Sequence, residues 1–126
     1  MKNLVISFIL FILMIVGIVV SLNYLDKKCS YYGDIANSLE STINNESWDK
    51  AYDISKELLE DWRKDSKTIS AYINHLQIEA INDQVLKLTQ YIETKDKSES
   101  LAVVHEIKFF LQSILSLEKV TISNIF

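Results

Sequence analysis

Residues 4–22 form a run of nineteen positions without a charge, interrupted only by Ser7, Gly17 and Ser21 as small or polar residues. As an α-helix this run is about 28 Å long, close to the ~30 Å hydrocarbon core of a bilayer. Asn23 and Tyr24 supply an interfacial end, and Tyr31 and Tyr32 extend an aromatic belt of the kind found at membrane surfaces. A cleaved signal peptide has a shorter apolar stretch and a small-residue cleavage site, whereas the exit here reads Ser21-Leu22-Asn23-Tyr24-Leu25-Asp26. A lipoprotein needs small residues before its cysteine, but Cys29 follows Lys27 and Lys28. A pilin-like start needs a glycine and then a glutamate at the head of the run, and neither is there. The reading is an uncleaved anchor: 1–26 a cytoplasmic tail and transmembrane helix, 27–126 a separate domain. Lys2 stands on one side of the run and Lys27 and Lys28 on the other, so the positive-inside count is nearly tied. A very short positive tail before a long apolar run is the pattern of a signal-anchor, which leaves the tail in the cytoplasm and exports the remainder of the chain. The expectation is a single-pass cell-membrane protein with an extracytoplasmic domain and the lipid bilayer as its first partner.

The chain beyond the run is of another kind. Over residues 27–126 it carries twelve basic and sixteen acidic residues, and that acidic balance argues against nucleic acid, which is bound through Lys and Arg on phosphates. It has no proline and one glycine, Gly33, which favours long helices over strands and tight turns. Cys29 is the only cysteine, so no disulfide closes within the chain.

Apolar residues recur at helical spacing in four segments. Ile35, Ala36, Leu39 and Ile43 stripe the first. Asn44–Ser47 breaks it, and Ser47 is placed to cap the next. Trp48, Ala51, Tyr52, Ser55, Leu58, Leu59 and Trp62 stripe the second. Ile69, Tyr72, Ile73, Leu76, Ile78, Ile81, Val85, Leu88 and Ile92 form the third. Asp96 and Glu99 then make a capping-box variant before Leu101, Val103, Val104, Ile107, Phe110, Leu111, Ile114, Leu115 and Leu117. The last face is the widest and predicts packing against two neighbours. A single helix over 48–92 would be about 68 Å long, more than twice the last one, so the chain must turn. The polar Asp65-Ser66-Lys67-Thr68 is the first choice of hinge and Asn74-His75 the second. The spacing predicts helices at 28–43, 48–65, 68–94 and 98–118, the first continuing from the anchor with Gly33 as a point of bend. Short loops make neighbours antiparallel. The fold class is all-α: an N-terminal transmembrane helix followed by a small antiparallel up-down bundle of about four helices.

Chemistry-bearing patterns are sparse. His75 and Glu79 at i, i+4, with Asp83 beyond, could align three metal ligands, but a solvated polar face is the simpler reading. Di-iron bundles need a Glu three residues before each His; Tyr72 and Ala102 stand there instead. His105, between Val104 and Glu106, reads as a rim or core histidine. Glu60 and Asp61 read as solvated carboxylates paired with Lys64. There is no glycine-rich phosphate loop and no G-x-S-x-G elbow. No catalytic, metal or cofactor residue is assigned, and the chain is read as non-enzymatic. Trp48, Tyr52 and Trp62 are the candidate interaction residues: the two Trp lie within about 40° on one helix face, either as core or as partly exposed anchors. Cys29 reads either as a free thiol or as an intermolecular disulfide across a homodimer.

Met1-Lys2-Asn3-Leu4, Trp48-Asp49-Lys50-Ala51-Tyr52, Trp62, Ile73-Asn74-His75, Leu86-Lys87-Leu88-Thr89-Gln90-Tyr91 and Ile107-Lys108-Phe109-Phe110-Leu111 together resemble a clostridial family of short single-span membrane proteins, catalogued as a domain of unknown function. The likeness runs over essentially the whole chain and carries over no functional residue. It implies a membrane-anchored protein of Gram-positive anaerobes, with a YetF-like membrane protein as partner. The abundance of Ile, Lys and Asn, with Arg63 the only arginine, fits the same AT-rich origin.

The expected function is therefore a membrane-anchored helical interaction or accessory protein working with another membrane protein. The alternative is an extracytoplasmic ligand-sensing bundle. Three residues before the run hold no output domain, so such a sensor would act through a partner.

Overall fold

The computed structural model describes the backbone of residues 1–125 and their side chains except at 117, 118, 120–122 and 125. Four helices occur in the order α1 (Lys2–Asn44), α2 (Trp48–Ile69), α3 (His75–Glu93) and α4 (Lys97–Ile125), and no strand occurs among the described residues. The chain is all-α, and α1 packs on α2 and α4 while α3 packs on the same two. Three short turns reverse the chain each time, so the helices form an antiparallel ring.

The packing geometry is set by spacing. Buried hydrophobic positions on α1 are Leu25, Cys29, Tyr32, Ala36, Leu39 and Ile43, alternating four and three residues apart. Ser100, Val104, Ile107, Leu111 and Ile114 repeat the pattern on α4, and Ile78, Ile81, Val85, Leu88 and Ile92 on α3. A seam of period 3.5 stays on one side of a helix only if neighbours cross at shallow angles, which is the geometry of a bundle. Each large apolar side chain fully buried in this seam contributes about 1.5–3 kcal/mol.

Helix α1 is 43 residues, about 64 Å, and serves two roles without a break. From Leu25 onward it is the first helix of the bundle; before that its apolar residues are exposed over Leu4–Val20, long and apolar enough to cross a membrane. The Ser7 and Ser21 hydroxyls donate to the carbonyls of Asn3 and Gly17, so neither adds an unsatisfied donor to the apolar half. The helix runs through Gly33, the expected point of bend, and no loop marks the boundary between 1–26 and 27–126.

The ends are fixed locally. At the end of α1, Glu46 N–H bonds Ile43 and Ser47 N–H bonds Thr42; at the end of α3, Lys95 bonds Ile92 and Asp96 bonds Tyr91. These are paired Schellman closures, and each places a non-glycine residue in the left-handed region, Glu46 at φ 55° and Lys95 at φ 58°. Asn74 Oδ1 accepts from Leu76 N–H to start α3, and Asp96 Oδ1 from Glu99 N–H to start α4. Ser47 sits at the cap position of α2, but its side chain makes no capping bond.

Several expectations are corrected. The hinge lies at residues 70–74, ending on Asn74 of the second choice, whose His75 already begins α3, while Asp65-Ser66-Lys67-Thr68 stays helical because Ser66 and Ile69 face the core and Asp65 is bonded across to α1. The cap at Asn74 resets the helical phase, so Tyr72 and Leu76 leave the stripe and are exposed, Leu76 by 73%. Tyr32, assigned to an interfacial belt, is buried at 1% exposure. Helix α4 runs past the expected end at 118 to Ile125, and the side chain of residue 117 lies outside the described set.

Leu111→Ala, which truncates a side chain of the α1–α4 seam, should cost about 2–5 kcal/mol in denaturant unfolding of the full chain in mild detergent. Lys95→Gly should instead be neutral or up to about 1 kcal/mol stabilising, since it relieves a left-handed side chain. Equal losses at both positions would contradict the packing described.

Candidate interaction surfaces

The bundle has two ends: a proximal end, where the apolar half of α1 enters, and a distal end at the 45–47 and 94–96 turns. A polar seam joins α1 to α2 near the proximal end. Tyr32 is packed edge-on against Trp62, with ring centroids 5.2 Å apart. Its hydroxyl donates to Asp65 Oδ2 at 2.5 Å, and Lys28 Nζ donates to the same oxygen at 2.9 Å. One turn further up, Tyr31 donates to Asp61 at 2.7 Å, so Asp61 is engaged by a tyrosine rather than by Lys64. Trp62 Nε1 donates to Asn82 Oδ1, carrying the connection on to α3.

These contacts set the electrostatics. Burial pushes the Asp65 carboxyl up, but the Tyr32 and Lys28 hydrogen bonds outweigh it and hold the group below its ordinary 3.8. Asp65 in turn raises Lys28 above its ordinary value. Burial first, and the bond to Asp65 second, push Tyr32 upward, so this hydroxyl stays a donor. On the other flank, Glu40 accepts from Lys108 and lies 3.1 Å from His105 Nε2, stitching α1 to α4; these two hold its carboxyl down. His105 is thus a rim residue. At the distal end Lys97 donates to the Asn44 carbonyl at 3.2 Å.

Cys29 lies on the other side of α1, in a groove of about 180 Å³ whose walls include Gly33 and Leu111. The thiol is free and buried, and burial raises it to about 11. A buried, protonated thiol is a poor partner for a disulfide between chains.

The residues singled out from sequence do not form one site. Trp62 is 1% exposed and anchors the core, whereas Trp48 and Tyr52 are half-buried on the distal part of α2. Tyr52 carries Lys56 Nζ 4.6 Å from its ring centroid. His75 and Glu79 pair at 3.5 Å on the surface, and among the described residues no three His, Cys, Asp or Glu side chains come together. One surface residue was overlooked. Phe109 is 66% exposed on the outer face of α4, beside Gln112, Ser113 and Ser116. Its signal was available, since it lies about 200° from the Ile107 core position. A second surface is the groove of about 650 Å³ between α2 and α3, with Arg63, Lys64 and Lys67 on one wall and Asp83 and Leu86 on the other.

Comparison with known proteins gives a family and no activity. A family described as "Domain of unknown function (DUF4363)" matches residues 19–125, which takes in the end of the apolar run and the bundle. No curated protein and no solved structure matches the chain.

Asp65→Ala removes the acceptor for a buried tyrosine and a lysine, and should cost about 1–3 kcal/mol in thermal unfolding. A carboxyl held below its ordinary pKa stabilises the fold fully above that value and loses the contribution as pH falls through the lower, folded value. Wild type should therefore lose stability below about pH 4, and Asp65→Asn should show a flatter acid limb. An unchanged acid limb in Asp65→Asn would contradict the role given to this carboxylate.

Proposed function

Since the chain belongs to the DUF4363 family, whose description assigns no activity, we propose from its architecture that it is a membrane-anchored, non-enzymatic accessory protein. It presents a helical bundle at a fixed height to another membrane protein. The observation that carries this reading is α1, whose apolar half has no protein cover while its other half is a core helix of the bundle. Contiguous apolar surface of that size marks a lipid or protein contact, and its length matches a bilayer. The host in this reading is a Gram-positive bacterium, the bundle is extracytoplasmic, and the partner is a YetF-like membrane protein, as the family resemblance implies.

The surface offered to the partner is the outer face of α4 around Phe109; Trp48 and Tyr52 lie on α2, across the ring from it. Exposed aromatic side chains carry a disproportionate share of interface energy. The ligand-sensing alternative draws on the α2–α3 groove, where Arg63, Lys64 and Lys67 would favour an anionic ligand.

The test is co-expression of the full chain with a YetF-like protein, carbonate washing, and purification in mild detergent. The chain should stay in the membrane and carry its partner through purification. Phe109→Glu should weaken that association about 30-fold, corresponding to a hot-spot loss of ~2 kcal/mol. A chain released by carbonate would contradict the anchor. Failure to hold the partner, together with a rise in melting temperature on adding an organic anion, would favour the sensor instead.

A further inference from the structure

We propose that the proximal end of the bundle is seated on the lipid surface, so that the protein touches the bilayer at a second place beside its span. This rests on the reading of α1 as a transmembrane anchor and adds to it the orientation and lipid preference of the domain. Three observations support it. The first is level. Asp65 is bonded to Lys28, which stands six residues, about 9 Å, beyond Leu22 along an unbroken helix. The chain of α2 then descends from Asp65 toward the apolar run, and the 70–74 turn closes it with the Tyr72 ring 5.7 Å from that of Tyr24. Tyr24 is only two residues past Leu22, so this turn lies at the depth of the headgroups.

The second observation is chemistry. Tyr72 is 42% exposed, and Leu76 is the most exposed large apolar residue of the bundle among the described residues. Leu76 projects outward and Tyr72 keeps an exposed edge beside Tyr24, and tyrosine paired with an aliphatic residue suits the boundary between headgroup and hydrocarbon.

The third is charge. Residues 23–30 and 63–82 carry five basic residues (Lys27, Lys28, Arg63, Lys64, Lys67) against three acidic ones. Residues 31–62 and 83–113 carry six basic against thirteen acidic. Lys27, Arg63, Lys64 and Lys67 are exposed and have no ion-pair partner among the described residues. A net-basic end facing the membrane is complementary to anionic lipid, while the strongly acidic remainder, which also carries the unpaired Lys50, Lys87 and Lys95, is repelled from it. The occupant of this surface is therefore an anionic headgroup layer rather than a protein.

The test uses the full chain in nanodiscs, with Cys29 replaced by alanine and one environment-sensitive fluorophore placed at Asn23→Cys, Leu76→Cys or Phe109→Cys. Spin-labelled lipid quenches whatever reaches headgroup depth. In phosphatidylglycerol nanodiscs the probes at 23 and 76 should be quenched and the probe at 109 should not. High salt or Lys64→Glu/Lys67→Glu should weaken quenching at 76, by letting the rigid anchor and bundle tilt away from that side, and leave it intact at 23. Quenching at 23 with none at 76 would overturn the seating while preserving the anchor. Equal quenching at 76 in phosphatidylcholine, unaffected by salt, would overturn the role of the cations. Absence of quenching at 23 would overturn the anchor and the seating together.

Discussion

One helix carries two kinds of surface. The first half of α1 presents apolar residues in every direction, and the second half presents them only along a seam of alternating four and three residues. Because no loop intervenes, the direction of the bundle is set by the direction of the apolar half. Each of the other helices takes its height from contacts with α1 or with a helix already placed by it. In such an arrangement flexibility at residues 23–33 would disconnect everything else, and this is where hydrogen bonds from α2 are concentrated.

The polar seam shows how that stretch is held. Apolar packing is non-directional and would tolerate sliding of α2 along α1 by one heptad. Asp65 does not tolerate it: a slide would leave a partly buried carboxylate and a buried tyrosine hydroxyl without partners, each costing about 1–3 kcal/mol. The contribution of Asp65 is therefore as much to register as to stability. Glu40 does the same on the α4 side from a more exposed position, where solvent screens the pair and its worth is smaller. With both flanks of α1 fixed, the exposed Phe109 face and the proximal turn acquire defined heights above the apolar run, which is what a protein working as a spacer or accessory requires.

Much of the fold was legible in the sequence because periodicity reports burial directly. The helix count, the 45–47 and 94–96 turns and most core positions are given by apolar spacing and by Asp96 as a cap. The misplaced hinge has a definite cause. Asp65 through Thr68 looks like solvent-facing chain because sequence spacing cannot register a partner on α1, more than thirty residues away. The same blindness placed Tyr32 in an aromatic belt when it was a core residue with a bonded hydroxyl. Leu76 was counted as core because the stripe was continued across a turn that resets the helical phase. Trp62 and Trp48 lie on one face of α2, yet only Trp62 is enclosed, since enclosure depends on how far the neighbouring helices extend. The interaction surface was the least legible part. Phe109 was left out of the core stripe of the last helix, as its angular position requires, but was not singled out as an exposed aromatic.

The central claim is that α1 is unbroken and rigid where it passes from its apolar half into the bundle. Amide hydrogen exchange on the full chain in lipid nanodiscs addresses it most directly, because amides in a continuous, packed helix exchange only through cooperative opening. Residues 27–33, which lie beyond the span, should be protected as strongly as residues 36–43 in the middle of the bundle. Exchange of 27–33 within seconds, alongside full protection of 36–43, would mean that a flexible joint separates anchor from bundle, and would contradict the claim.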